Sequence, residues 1–326
     1  MKLNLDEKIS AAQTVAIAGH VKPDGDCVSS CLAVCQYIRR YFPQKQVQVF
    51  LEPIPRIFYF LQYAEDICEA AGEEDGRYDL FIALDCGDLQ RLGKAASLFE
   101  NAASTLCIDH HVSNRSFAGE NYVVPEASST CELVYDLLPK ERITKEIAEY
   151  TGIVTDTGVF QYSCTSESTM RAAGDLMSRG IDFTGIVDRV FFQKTFVQQR
   201  IMGRALLNAR LYIRGDLRIV ASVLTPEDMA ECGALPKHLE GIVSQLQNTK
   251  DVEASLFLYP MEDGVYKVSI RSSKMVDAAA IAVKYQGGGH VRAAGCSLSG
   301  EDPWKMAEML IRDVCDQVGL PAAEAD

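Results

Sequence analysis

The stretch Gly19-His20-Val21-Lys22-Pro23-Asp24-Gly25-Asp26 offers one imidazole and two carboxylates within seven residues, directly after an apolar run. Acids set so densely repel one another unless a cation neutralises them, and oxygen donors mixed with imidazole suit Mn2+, Mg2+ or Zn2+. A later apolar run ends in Ala83-Leu84-Asp85, and another in Cys107-Ile108-Asp109-His110-His111. Asp156 follows in Thr151-Gly152-Ile153-Val154-Thr155-Asp156, near the end of an apolar helical pattern. A lone Asp at such a place is ordinarily a helix cap and a lone His a satisfied core group, but recurrence at three run ends points to a single metal-binding edge. Further along, Gly287-Gly288-Gly289-His290 reads as a loop that lets the backbone approach a ligand and offers N–H donors to an anion. Arg271 and Arg292 lie where either could anchor a phosphate.

These residues need elements that bring run ends together. The first half alternates short apolar runs, Thr14–Gly19, Val47–Leu51, Leu80–Leu84 and Thr105–Ile108, with amphipathic segments, the pattern of a parallel α/β sheet. Loops at the carboxyl ends of such strands are where open α/β sheets bind ligands. Helical patterns dominate from about Ser128 to Asn208, with Ser-Ser-Thr capping Cys131–Leu138 and Thr144 capping Ile147–Val154. Asp88 and Arg91 read as a helix start, and Asn114 and Arg115 as either a substrate contact or an exposed loop. Beyond a helix over Thr195–Asn208 the texture changes to strand pairs. Ala209–Arg214 pairs with Leu217–Val223, and Glu253–Tyr259 pairs with Val265–Arg271 through a turn at Pro260–Gly264. The expected architecture is therefore α/β: a parallel-sheet N-terminal domain over residues 1–190 with helices on both faces, and a smaller α+β domain over 191–326 that includes the connecting helix.

Composition narrows the function. Of 326 residues, 48% are hydrophobic and 24% charged, an ordinary globular balance. Net charge is −13, which disfavours a duplex-DNA binder. Lys194, Arg200, Arg204, Arg210, Arg214 and Arg218, opposed only by Asp216, form a basic segment that either faces an anion or is solvated. Eleven cysteines without C-x-x-C spacing fit a reducing compartment, and Cys27, Cys31 and Cys35 share one helix face as core residues. No signal core or long apolar run is present, so the expectation is a cytoplasmic protein that does not engage membranes. His238 and Trp304 read as helix-start and packing residues.

His20-x-x-x-Asp24-x-Asp26, Asp85, Asp109-His110-His111 and Thr155-Asp156 resemble, in order and spacing, the four motifs of the DHH phosphoesterase superfamily. Gly287-Gly-Gly-His290 and the Arg271-Ser272 step resemble the DHH-associated domain of its nanoRNase and pAp phosphatase branch. The resemblance implies two divalent ions, usually Mn2+, with Mg2+ or Co2+ as substitutes. His20, Asp24 and Asp85 would hold the first ion, and Asp26, Asp85, His110 and Asp156 the second, with Asp85 as the bridge. It further implies that His111 points at the scissile phosphate as leaving-group acid or charge stabiliser. Asp109 would orient an imidazole, and Arg271, Ser272, Gly287, Gly288, Gly289 and His290 would bind substrate.

The implied reaction is hydrolysis of very short single-stranded RNA to mononucleotides and removal of the 3′-phosphate of pAp (3′-phosphoadenosine 5′-phosphate). The alternatives are a phosphodiesterase for cyclic or linear dinucleotides of the c-di-AMP type and, in another class, a nucleotide-binding module without catalysis. A family II inorganic pyrophosphatase would share the first domain but lack the Gly287–His290 segment. Symmetry statistics make a homodimer the default assembly.

Overall fold

Strands that are apolar along almost their whole length can be buried on both faces, and the three central strands of the first half are. In the computed structural model, which describes residues 3–71, 77–145, 149–262 and 264–320, the chain divides into two compact units, Met1–Gln193 and Lys194–Asp326. The first contains α1 (Leu5–Ala11), β1 (Thr14–Ala18), α2 (Gly25–Tyr41), β2 (Gln46–Phe50), β3 (Leu80–Leu84), α3 (Ala96–Asn101), β4 (Thr105–Asp109) and β5 (Glu120–Val123). It continues with α4 (Thr130–Leu137), α5 (Glu149–Asp156), α6 (Glu167–Ser178) and α7 (Phe183–Val187).

The five strands pair in the order β2-β1-β3-β4-β5, all parallel. Val15, Ile17, Ile82, Leu84, Leu106 and Ile108 pack on one face against α1, α2 and α4–α6. Ala16, Ala18, Phe81, Ala83 and Cys107 pack on the other against α3 and the 3-10 segment Leu89–Ala95. Alternate residues thus feed two cores, which is why the strands read as unbroken apolar runs. The edge strand β5 was not among the sequence expectations: Glu120, Asn121, Tyr122 and Val123 are all half-buried, so it lacks the apolar run that marks the others. The start of the helix expected at Ile147 lies outside the described residues.

At this order the chain leaves β1 and β3 in opposite directions, opening a crevice at their carboxyl ends. Asp24 starts α2 there as its N-cap, its Oδ1 accepting from the N–H groups of Asp26 and Cys27 at 3.2 Å each. Cys27, Cys31 and Cys35 lie fully in the core, and all eleven cysteines are free.

The second unit contains α8 (Phe196–Leu207), β6 (Arg210–Arg214), β7 (Leu217–Val223), α9 (Pro226–Cys232), α10 (Ile242–Gln247), β8 (Ala254–Glu262) and β9 (Val265–Ser272). After these come α11 (Ala278–Lys284), β10 (Gly288–His290), β11 (Ala293–Ser299) and α12 (Pro303–Gln317). Its sheet runs β10-β11-β9-β8-β7-β6, antiparallel except between β7 and β8. The turn expected over Pro260–Gly264 is tighter than that, because β8 continues past a bulge to pair Glu262 with Val265. Gly287–His290, expected as a loop, instead enters the sheet through β10. The basic segment is largely paired within its own unit. Arg204 meets Asp228 and Glu231, Arg218 meets Asp251, and the Arg210 guanidinium stacks 3.7 Å from the Trp304 ring centroid. His238 accepts from the Leu235 N–H through Nδ1 at a 3-10 turn.

One close approach tests this packing directly. A Cβ on Gly152 of α5 would stand 2.3 Å from Cys131 Sγ of α4 and 2.6 Å from Asp26 Oδ1 of α2. Gly152→Ala is expected to lower stability by about 1–3 kcal/mol, the usual penalty for overpacking. Urea unfolding measures it, and an unchanged midpoint would show that the three helices are not in this contact.

Candidate metal centre

The carboxyl ends of β1, β3 and β4 deliver the acids and imidazoles to one place. Asp85 directly follows β3 with φ +54°, a left-handed conformation uncommon outside glycine, though Asp and Asn adopt it more readily than other residues. Its carboxylate is buried and its two oxygens face different partners. Oδ2 lies 3.4 Å from His20 Nε2, which in turn is 3.6 Å from Asp24 Oδ2. Oδ1 lies 3.6 Å from His110 Nε2, which is 3.2 Å from Asp156 Oδ2 and 3.9 Å from Asp26 Oδ2. All six residues expected as metal ligands are therefore brought together, in two groups that share Asp85.

Each of the two imidazoles expected as ligands, His20 and His110, is oriented by a backbone carbonyl. His20 Nδ1 bonds to Val21 O at 2.8 Å and His110 Nδ1 to Ala127 O at 3.3 Å, so in both rings Nε2 faces the acids. His111 differs. Its Nδ1 bonds to Asp109 Oδ1 at 2.8 Å, and the other Asp109 oxygen accepts from Asn114 Nδ2 at 2.6 Å. Asn114, read from sequence as a loop or substrate residue, is instead the outer member of an Asn–Asp–His chain, and nothing in its spacing reveals that.

Asp26 is completely buried in the first turn of α2, and its carboxylate sits on the N-terminus of α4. Oδ2 accepts from Thr130 N at 2.6 Å and Oδ1 from Cys131 N at 2.9 Å, while Thr130 Oγ1 donates to Asp85 Oδ1 at 3.2 Å. That helix start is itself anchored by buried Glu132, which accepts from Ser128 N and Oγ, Ser168 Oγ and Thr169 Oγ1. Burial opposes ionisation of Glu132, but those donors prevail and hold its pKa below the usual value. The sequence marked this segment as a helix cap, with no sign that it faces Asp26 more than a hundred residues earlier.

The electrostatics follow from crowding. Burial, with Asp85 and Asp156 nearby, pushes Asp26 well above the usual carboxylate range. Burial likewise lifts Asp156 to about 6. Burial opposes the charge on His20 and His110, but the acids outweigh it and hold their pKa values at about 11 and about 10. The site demands positive charge. Donors about 2.0–2.2 Å from a common ion stand about 2.8–3.6 Å apart, close to the separations seen here, and carboxylates with imidazoles suit a borderline or hard divalent metal. Cys27 Sγ lies within 4.8 Å of donor atoms of His20 and Asp85 and bonds to His20 O at 3.9 Å.

The second unit presents a different surface. Ala293 pairs across β11 with Arg271 on one side and His290 on the other, and Gly295 likewise lies between Ser269 and Gly288. Residues directly opposite share a face, so small residues form a shelf between His290 and the Arg271 side chain. The helices α8–α10 cover this face over β7 and β8, whereas Gly288 and His290 are exposed. Ser272, the next residue along β9, points to the buried side, its Oγ bonding to Val291 O. Arg292 donates to the carbonyls of Val276 and Lys274 and so braces a loop.

Residues 14–155 match the N-terminal domain of the DHH family, and residues 217–317 match the DHHA1 domain. The chain is 32% identical over 309 residues to a Thermus thermophilus protein named bifunctional oligoribonuclease and PAP phosphatase NrnA, covering 93% of this chain and 90% of that one. A Bacillus subtilis protein of the same name is 28% identical over 322 residues, covering 96% and 97%. Among solved structures, an exopolyphosphatase-related protein from Bacteroides fragilis superposes with a TM-score of 0.82 at 25% identity, covering 96% of this chain and 94% of that one. Among the described residues no helix is long and apolar enough to cross a membrane.

Two outcomes follow from the geometry. The raised pKa values keep the His20 and His110 imidazoles protonated at pH 7 in the metal-free protein, a stabilisation fully present below about 6.5 and lost as pH rises through about 10–11. Metal ligation needs them neutral, and Asp26, also raised well above the carboxylate range, must give up any proton it holds, so divalent-metal binding at pH 7 should release at least two protons and tighten as pH rises. Calorimetry in buffers of different ionisation enthalpy measures this, and a buffer-independent heat would refute it. On the shelf, a Cβ at Gly289 (φ +145°) would stand 2.5 Å from Ala293 O and Ala294 Cα, whereas one at Gly288 meets nothing within 4 Å. Gly289→Ala should destabilise the second unit by about 1–3 kcal/mol and Gly288→Ala by less than about 0.5 kcal/mol, as read from thermal unfolding.

Proposed function

The chain belongs to the DHH family, and from that premise we propose that it is a two-metal phosphoesterase that hydrolyses very short RNA to mononucleotides and removes the 3′-phosphate of pAp. The single observation that carries the chemistry is the division of the Asp85 carboxylate between two donor groups. His20, Asp24 and Asp85 would hold one ion, and Asp26, Asp85, His110 and Asp156 the other. Hard oxygens with imidazoles suit Mn2+, Mg2+ or Zn2+, and Mn2+ is the ion that the family resemblance implies. Two such ions, when bound, polarise a phosphate ester, provide a nucleophilic water at neutral pH and stabilise charge on the attacking and leaving oxygens.

The remaining steps belong to the side chains. His111 is raised above the ordinary imidazole value, first by its bond to Asp109 and against burial, which favours the protonated ring. With Nδ1 held by Asp109, Nε2 is the nitrogen that can give a proton to the departing oxygen. Asp109 stays ionised because the His111 and Asn114 bonds outweigh its burial. On the second unit, Arg271 supplies charge for a phosphate, and the glycine shelf beside His290 admits a nucleoside close to the backbone. The net charge of −13 favours short substrates over long polyanions. What supports the choice of substrate is the match to relatives named oligoribonuclease and PAP phosphatase over nearly the full length of both chains.

The test is Mn2+-dependent turnover of 5′-labelled di- to pentanucleotide RNA, with pAp and cyclic di-AMP in parallel. Wild type should release mononucleotides and convert pAp, and Asp85→Asn should abolish both along with tight metal binding. His111→Gln should lower kcat by about 10²–10⁴-fold while metal content stays at two ions. Loss of metal in His111→Gln would remove the proposed role. A preference for cyclic di-AMP would move the function to dinucleotide turnover, and inertness on all three substrates with metal bound would leave a binding module.

A further inference from the structure

Thr130 is an uncharged residue that holds both the shared carboxylate, Asp85, and a second acid, Asp26. Its Oγ1 donates to Asp85 Oδ1 at 3.2 Å and its backbone N–H to Asp26 Oδ2 at 2.6 Å, and it is fully buried. The other groups near Asp85 are His20 Nε2 at 3.4 Å, His110 Nε2 at 3.6 Å and His111 Nδ1 at 3.5 Å. The first two are the nitrogens assigned to metal and the third is committed to Asp109, so none of them can hold Asp85 by hydrogen bonding once the site is loaded. A hydroxyl does not titrate with the site and does not leave its acceptor when a cation arrives. The hydroxyl also has a fixed origin: Thr130 is the first residue of α4, Ser129 caps that helix by accepting from Glu132 N, and Glu132 ties it to Ser168 and Thr169 of the α6 start.

We propose that Thr130 is the positioning residue that sets the Asp85 carboxylate across the two metal subsites, its hydroxyl fixing the plane of the shared carboxylate while its N–H fixes Asp26. The proposal rests on the two-metal reading above. It predicts that the hydroxyl, and not the shape of the side chain, controls how the second ion is held. Outer groups that orient metal ligands change metal affinity by about 10–100-fold when removed.

Thr130→Val keeps the shape and the backbone N–H and removes the donor, whereas Thr130→Ser keeps the donor. Mn2+ binding by calorimetry and electron paramagnetic resonance of the full chain reads the result, because two Mn2+ ions sharing a carboxylate give a spin-coupled spectrum that a single ion does not. In Thr130→Val the second Mn2+ should bind about 10–100-fold more weakly and the coupled signal should fall at a fixed metal concentration, while Thr130→Ser stays near wild type in both. Melting of the metal-free variants checks folding. If valine is not tolerated, Thr130→Ala removes the same hydroxyl with no added methyl in contact with Asp85. Wild-type affinities and an unchanged coupled spectrum in the folded hydroxyl-less variant would overturn the role of Thr130 and leave the two-metal reading intact. A wild-type protein that takes up only one Mn2+, or two without coupling, would overturn both.

Discussion

Four carboxylates, Asp24, Asp26, Asp85 and Asp156, converge at one edge of a sheet, with Asp26 and Asp85 buried away from the water that would screen them, and much of the first unit is arranged around that repulsion. At the low effective dielectric of an interior, like charges a few ångströms apart cost several kcal/mol unless opposed. Three kinds of opposition are built in. Imidazoles stand between the acids, with His20 against Asp24 and Asp85, and His110 against Asp26, Asp85 and Asp156. Helix starts supply N–H groups: α2 to Asp24 and α4 to Asp26. The remaining deficit is what a pair of divalent cations would neutralise, and it is the physical reason a fold would keep so unstable a set of groups together.

That constraint explains why α4 is locked so firmly. Were its first turn free to move, Asp26 would lose both donors and Asp85 its hydroxyl partner, and buried carboxylates left without partners are among the most destabilising features a protein can carry. Glu132 is the device that prevents this. One carboxylate gathers Ser128, Ser168 and Thr169, so the helix start is fixed both to the preceding turn and to the next helix but one. The close approach of Gly152 to Cys131 and Asp26 serves the same end from α5.

Much of this framework can be read in the sequence because the strands are buried on both faces. A run such as Leu80–Leu84 announces a strand, and the polar residue that ends it announces the sheet edge. Elements with mixed exposure escape: β5 has no fully buried residue, and β10 consists of two glycines and an exposed histidine, a composition that speaks of a loop until β11 pairs with it. Roles that depend on tertiary register escape as well. Thr130 and Glu132 look like an ordinary helix cap, and they are one. That the same N–H groups and hydroxyl also face Asp26 and Asp85 depends on α2 and α4 being brought together, which no local spacing encodes.

The three histidines of the first unit show how a shared ring acquires different work from its outer partner. A carbonyl that accepts from Nδ1, as Val21 O does for His20 and Ala127 O for His110, fixes the ring and leaves Nε2 with its lone pair available to a cation. It adds no charge, so it does not oppose loss of the second proton when metal arrives. A carboxylate in that position, as Asp109 is for His111, adds a full negative charge and stabilises the doubly protonated ring. Such a ring gives up its proton only to a stronger base, which a departing alkoxide oxygen is. His110 and His111 are adjacent in sequence and their rings lie 5.0 Å apart, so the different roles proposed for them rest on the acceptor behind each ring rather than on position. Asn114 completes the distinction by donating to the second oxygen of Asp109, so that carboxylate has a partner at each oxygen and is held in the orientation in which it meets His111.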